Sequence, residues 1–393
     1  MNNSFKPSLG LLDATMIVAG SMIGSGIFIV SADITRNVGS PGIILGVWLL
    51  AGIMTIIVAV SYGELSSMFP KAGGQYVYLK EAYNPLTGFL FGWSFFTIIQ
   101  TATIAAVAVA FAKFTAYIVP YFSEDHFLFH SGFLSISRAQ ALAICIIILL
   151  TFINTKGIKA AKILQTTFTL TKLLSLFGLI LAGLLIADPA IWKANWENGW
   201  TIQKISIDGI ITGYTSFAAL GAIAAAMVGS IFSADSWNNV TFIASEIKNP
   251  KRNIGLSLFF GTLIVTVIYI LANVMYLSVL SLQEIARADK DRVAAEAAQA
   301  IFGRPGTIII ALMIMVSTFG CNNGLILAGA RVYYTMAKDG IFFQRAGKLN
   351  QHNVPSFSLW VQCAAACLWC ISGKYGDLLD MISFTVVLFY VLT

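Results

Sequence analysis

Ten long apolar runs, parted by short polar breaks, make up almost the whole chain. They fall at residues 9–31, 42–68, 86–118, 138–154, 160–187, 210–246, 253–281, 306–337, 356–372 and 375–393. A helix needs about 20 apolar residues to cross a bilayer. Each run has close to that length or more, and none alternates like the ~10-residue strands of a barrel. Pro41, Pro70, Pro85, Pro189, Pro250, Pro305 and Pro355 stand near the proposed ends, where proline does least harm. The pattern predicts an all-α polytopic membrane protein. The segment 282–304 is rich in helix formers and mixed charge. It predicts an amphipathic helix outside the membrane, over the mouth of the bundle.

Two runs are interrupted at mid-depth. Span one contains Gly20-Ser21-Met22-Ile23-Gly24-Ser25-Gly26. Each glycine costs a helix interior about 1 kcal/mol relative to alanine. Span six contains Gly229-Ser230-Ile231-Phe232-Ser233-Ala234-Asp235-Ser236. A carboxylate at that depth costs about 3 kcal/mol on insertion scales and marks a functional position by default. Backbone that leaves the helical ladder inside a membrane must line a cavity or be buried in protein. Corresponding positions five spans apart are what two inverted repeats would produce. The repeats would be residues 1–187, spans one to five, and 188–393, spans six to ten.

Composition agrees: mean hydropathy is +0.81, and only 11% of residues are charged, against about 25% in a soluble domain. With the N-terminus in the cytoplasm, the inner loops hold Lys6, Lys71, Lys80, Lys156, Lys159, Lys248, Lys251, Arg252, Lys338, Arg345 and Lys348. The outer loops hold Asp33, Glu124, Asp125, Asp188, Glu197 and Asp208. That asymmetry is the positive-inside rule. The net charge of +6 therefore reports orientation, not nucleic-acid binding. No cleavable signal peptide precedes span one. Cys363, Cys367 and Cys370 share one helix face and read as small hydrophobes. His126 and His130 read as solvated. No cofactor and no metal is called for, and no nucleotide-binding loop appears.

A zwitterion at mid-membrane needs N–H donors for its carboxylate, which a half-helix N-terminus supplies. Gly24, Ser25 and Gly26 stand where the second half of span one should start. Its ammonium needs acceptors, and Ile23, Phe232, Ser233 and Asp235 are the candidates. Gly20 and Gly24 also fit a small-xxx-small packing face. Lys172 lies within span five, where a cation must face a cavity or a polar partner, or snorkel to the interface. It could tether span one as a fixed substitute for a sodium ion, or titrate. Gln100 and Thr103 in span three suit the side-chain part of a pocket. Asn322 and Asn323 in span eight resemble them, and interhelical hydrogen bonding is the alternative for all four.

Span one resembles the Gly-Ser-Gly-Ile-Phe signature of the amino acid–polyamine–organocation superfamily. So does Tyr62-Gly63-Glu64-Leu65 with Pro70-Lys71-Ala72-Gly73-Gly74-Gln75. Phe232, Trp237-Asn238 and Glu246-Ile247-Lys248-Asn249-Pro250 resemble the sixth-span motif of the L-type amino-acid transporter family, as Gly329-Ala330-Arg331 does the motif of span eight. The resemblance implies the leucine-transporter fold, with two helices beyond span ten missing after Thr393. It also implies sodium-independent exchange of L-amino acids by alternating access. Ile23, Ser25 and Gly26 match the family's span-one substrate contacts. Phe232, Ser233 and Asp235 match those of span six, with Phe232 as the gate. Lys172 matches the span-five lysine of sodium-independent members. Asp235 replaces the glycine of many members selecting large neutral amino acids. It would pair with a basic substrate side chain or merely hydrogen-bond the broken helix.

The expected protein is thus a secondary transporter in the inner (plasma) membrane of a bacterium, not an enzyme. Its expected partners are an amino-acid substrate and the lipid bilayer. Residues 119–137 contain no cysteine, so no disulfide-linked partner subunit is expected. Proton-coupled symport, with Lys172 titrating, and a non-transporting sensor or subunit are the rival readings.

Overall fold

The computed structural model describes residues 5–131, 134–372 and 375–393. Helices occupy all ten expected positions. Span one is Leu11–Met22 and Gly26–Val38, and span two is Pro41–Met68. Span three is Pro85–Ser94 and Gln100–Ile118, joined by a π-helical turn at Phe95–Ile99. Spans four and five are Arg138–Thr155 and Ile158–Leu185. Span six is Ser216–Ser233 followed by the short Asn239–Phe242, and span seven is Pro250–Val279. Arg304–Lys338, Ser356–Ser372 and Tyr375–Leu392 complete the set. Among the described residues, seven helices are long and apolar enough to cross a membrane, or eight with the bent pair of span one counted as one. The protein is an all-α, multi-pass integral membrane protein.

Helix starts follow the prolines. Pro41, Pro85 and Pro250 sit in the first turn of their helices, where the missing N–H has no intrahelical acceptor to lose. Several helix ends differ from expectation. Span one runs on to Val38 and stops at Gly39, whose φ of 48° is left-handed. Asp33, expected in a loop, therefore sits on the last helical turns. Span six starts at Ser216, not 210, because Gln203–Ile205 and Ile211–Gly213 pair as an antiparallel hairpin. The segment 282–304 is not one helix. It is Leu282–Ala286, a 3-10 turn at Asp289–Asp291 and Val293–Phe302. Lys290 and Asp291 carry φ values of 50° and 64°, which a continuous helix forbids. The side chains of Lys159 and His130 lie outside the described residues.

The two ends of the bundle are fastened differently. At the end that holds the C-terminus of span one, Arg36 donates to Asp291 at 2.7 Å and to the Ala286 carbonyl at 3.0 Å. At the opposite end, the chain before span one runs beside the end of span six. The Ser8 and Leu9 amides donate to the Glu246 carbonyl at 2.8 and 3.0 Å, and Lys248 N–H donates to Leu9 at 2.8 Å. The Glu246 carboxylate accepts from Arg331 Nε of span eight at 2.9 Å, both side chains being buried. The helix Arg304–Lys338 has 35 residues, or roughly 52 Å at 1.5 Å per residue. It outreaches a hydrocarbon core of about 30 Å and so carries Arg331 to the end where Glu246 lies.

Candidate functional site

Span one is bent by 41° at its break. The last four carbonyls of a helix lack regular intrahelical donors; Ala19 and Met22 accept from the Ile23 and Gly24 amides at 3.0 and 2.8 Å, and the carbonyls around the break gain further partners. They find them on three other spans. Lys172 Nζ of span five donates to the carbonyls of Gly20 at 2.5 Å and Ile23 at 2.6 Å. From span eight, Cys321 Sγ donates to Ser21 at 3.0 Å, and Ser317 Oγ lies 3.1 Å from the Ile23 carbonyl and 3.3 Å from that of Gly24. Tyr269 Oη of span seven lies 3.1 Å from the Met22 carbonyl and 3.0 Å from the Ser233 carbonyl of span six. Its single proton can serve one of them at a time, so it couples the two breaks.

The second half of span one begins at Gly26. Of its first-turn N–H groups, which lack regular i−4 acceptors, that of Phe28 donates to the Ser25 carbonyl at 3.1 Å. A Cβ on Gly26 would lie 2.2 Å from Ser233 Oγ and 2.9 Å from Ser233 Cα. Spans one and six therefore touch backbone to backbone at their breaks. A Cβ on Gly20 would meet Gln165 Nε2 and Thr169 Oγ1 of span five at 2.3 Å. The glycines thus break the helix and also let its neighbours close on it; the packing alternative and the cavity reading both apply.

Two small cavities lie at the breaks. One is lined by Ser21, Met22, Gly24, Ser25, Gly26, Thr103, Val107, Phe232, Ser233, Asp235, Ser236 and Cys321. The other shares Thr103, Asp235 and Ser236 and extends to Gln75, Gln100, Asn238, Phe389 and Tyr390. Their volumes are about 20 and 10 Å³, and a water needs about 10–15 Å³. The site is closed around a space for a water or two.

The break in span six is a run of turns. Ser236 has φ 68°, an unusual conformation for a residue with a side chain. Asp235 Oδ1 accepts from Tyr390 Oη of span ten at 2.5 Å. The π-helical turn places Gln100 one step off the regular helical face, and such turns recur at functional sites. Gln100 Nε2 donates to the Leu325 carbonyl at 2.6 Å, and Thr103 Oγ1 to the Ile99 carbonyl at 2.6 Å.

The sequence profile of the amino acid permeases matches residues 9–393. The chain belongs to the amino acid permease family. The permease is an L-type member of the amino acid–polyamine–organocation superfamily, a group of transporters and not of enzymes. It is similar to the b(0,+)-type amino acid transporter 1 of Oryctolagus cuniculus, at 28% identity over 99% of this chain and 75% of that protein. The Homo sapiens protein of the same name is 26% identical over the same shares. The Large neutral amino acids transporter small subunit 2 of Homo sapiens is 28% identical over 99% of this chain and 69% of that one.

Of the residues singled out in the sequence, the permease brings Gly24, Ser25, Gly26, Thr103, Phe232, Ser233 and Asp235 around the first cavity, and Gln100 around the second. Ile23 departs from its expected part. Its carbonyl, a candidate acceptor for a ligand ammonium, is taken by Lys172 and Ser317. Asn322 and Asn323 line neither cavity. Asn322 donates to the Ile104 carbonyl at 3.2 Å, and Asn323 to Gln165 Oε1 at 3.0 Å. Sequence reasoning missed Tyr269, Ser317, Cys321 and Tyr390. Ser317 and Cys321 are i, i+4 on one helix, so a polar face of span eight was the available signal. Tyr390 gave none, since a tyrosine in an apolar run reads as packing. Among the described residues no cluster of three His, Cys, Asp or Glu could hold a metal ion.

Proposed function

We propose that this permease is a secondary transporter of L-amino acids that works by sodium-independent exchange. The observation that carries the reading is the Lys172 ammonium, 2.5 and 2.6 Å from two carbonyls at the break of span one. A fixed cation there ties span one to span five, a tether that a dissociable sodium ion could otherwise provide. The Gly24 N–H already donates to the Met22 carbonyl at 2.8 Å, so the α-carboxylate goes to the start of the second half-helix at Ser25 and Gly26, with the ammonium at the carbonyl end of the break in span six. Phe232 is the gate.

Alternating access requires the two ends to open in turn. The Arg36–Asp291 contact closes the outside, and the pairing of Leu9 with Glu246–Lys248 closes the inside. The reading carries two inverted five-helix repeats, 1–187 and 188–393, and a cytoplasmic N-terminus, as the distribution of Lys and Arg favours. One relative's name contains the words small subunit, which point to a larger companion of that protein. For this chain we infer no disulfide-linked companion. Its five cysteines, Cys145, Cys321, Cys363, Cys367 and Cys370, all lie within helices of the bundle.

Uptake of radiolabelled alanine, leucine and arginine into liposomes tests the reading, with sodium and pH gradients varied. Uptake that requires internal unlabelled amino acid is the expected result. Equal uptake into empty vesicles, driven by protons or sodium, would overturn exchange and favour symport.

A further inference from the structure

We propose that Tyr390 sets the substrate charge preference of this site by acting as an internal competitor for Asp235. The inference rests on the amino-acid transport reading above and names a residue that this reading does not use. Tyr390 Oη donates to Asp235 Oδ1 at 2.5 Å. Asp235 lines both cavities, and Tyr390 lines the second. The other polar residues around that second cavity, Gln75, Gln100, Thr103, Ser236 and Asn238, are neutral. Asp235 is the single formal charge among the described lining residues.

The tyrosine is held in place by aromatic neighbours. Its ring lies 5.3 Å from that of Trp237 and 6.1 Å from that of Tyr62, and Tyr62 meets Trp237 edge-on at 4.9 Å. Spans two, six and ten each contribute one ring. The hydroxyl is therefore positioned, not adventitiously placed by a free rotor.

A half-buried carboxylate within the bundle gains from a partner. With a neutral substrate present, the Tyr390 hydroxyl remains that partner and offsets part of the cost of withdrawing the charge from water. An ammonium or guanidinium is a stronger partner than a hydroxyl. A basic substrate side chain that takes Oδ1 displaces Tyr390 from it, and the bond broken there tilts the site toward neutral substrates. Tyr390 is thus a specificity-determining residue that acts through Asp235.

The test is exchange in leucine-loaded liposomes, reading KM for arginine and for leucine in four proteins: wild type, Tyr390→Phe, Asp235→Asn and the double variant. Loss of a hydrogen bond to a charged group should lower the arginine-to-leucine KM ratio about tenfold or more in Tyr390→Phe. Asp235→Asn should raise that ratio, and the double variant should match Asp235→Asn. A ratio unchanged or raised in Tyr390→Phe overturns the proposal, as does a gain that persists in the double variant. Leucine exchange with no arginine uptake by wild type or Tyr390→Phe also overturns it while leaving transport intact. If Tyr390→Phe fails to fold, Asp235→Asn decides alone, an unchanged ratio being the contrary result. Absence of any amino-acid exchange by wild type would instead sink the transport reading.

Discussion

Lys172 Nζ and the carbonyl oxygen of Ile23 are 2.6 Å apart, and the lysine is 2% exposed. A cation buried this deeply survives because the helix break gives it acceptors, and the break survives because the cation takes them. Replacing Lys172 with Met removes both at once. Each orphaned buried carbonyl costs about 1–3 kcal/mol. Lys172→Met should lower the melting temperature of the purified permease and reduce exchange at least tenfold. Thermal unfolding in detergent, read beside liposome exchange, checks both. Lys172→Arg should not restore exchange, since a planar guanidinium cannot reproduce an ammonium set between two carbonyls. Full exchange by either variant would remove Lys172 from the working site.

Gly26 is predicted to reject any side chain. Its Cβ would meet the Ser233 backbone as well as its hydroxyl, at 2.9 and 2.2 Å, so a rotamer change in Ser233 is not enough. Gly26→Ala should abolish exchange. The pair Gly26→Ala with Ser233→Gly should recover part of it by removing the side-chain half of the clash. Gly46 faces open space, and Gly46→Ala should be close to neutral in the same assay.

Much of this was legible in the sequence because membrane helices announce themselves by length and hydropathy. A helix overlaps each of the ten apolar runs, although span one runs on to Val38 and span six starts only at Ser216. The breaks were legible for the same reason, as glycine and aspartate in hydrocarbon have few structural excuses. What escaped was whatever depends on three-dimensional neighbours. Nothing in the span-one glycines says that Lys172, Ser317, Cys321 and Tyr269 supply the hydrogen bonds their carbonyls lack. The 282–304 segment was misread because good helix formers say little about a turn where Lys290 and Asp291 adopt positive φ. Asn322 and Asn323 show the limit of polarity as a signal, since interhelical bonds and ligand contacts use the same amides.

Glu246 and Arg331 form a buried ion pair, with side chains 3% and 0% exposed. Breaking one partner of such a pair costs about 3–5 kcal/mol, while replacing both with apolar residues is often neutral. Arg331→Met and Glu246→Leu should each lower the melting temperature sharply, and the double variant should recover most of the loss. If the pair also holds the inner end closed, exchange in the double variant should stay impaired despite its recovered stability. Equal recovery of both would make the pair a structural element only.

Tyr269 offers the sharpest test of coupling between the two breaks. Its hydroxyl stands 3.1 Å from Met22 O and 3.0 Å from Ser233 O, and one proton cannot satisfy both. A hydroxyl that can swing between spans one and six favours neither break permanently, which suits helices that must move in sequence. Tyr269→Phe leaves the ring packed against Trp48, 5.3 Å away, and removes only the bridge. The melting temperature should therefore fall modestly, by the worth of one hydrogen bond, about 1 kcal/mol. Exchange should fall by more than tenfold, with the loss in kcat and not in KM, if the bridge serves the moving step. A loss in KM alone would place Tyr269 at the bound substrate. Unchanged exchange would leave the two breaks independent of each other.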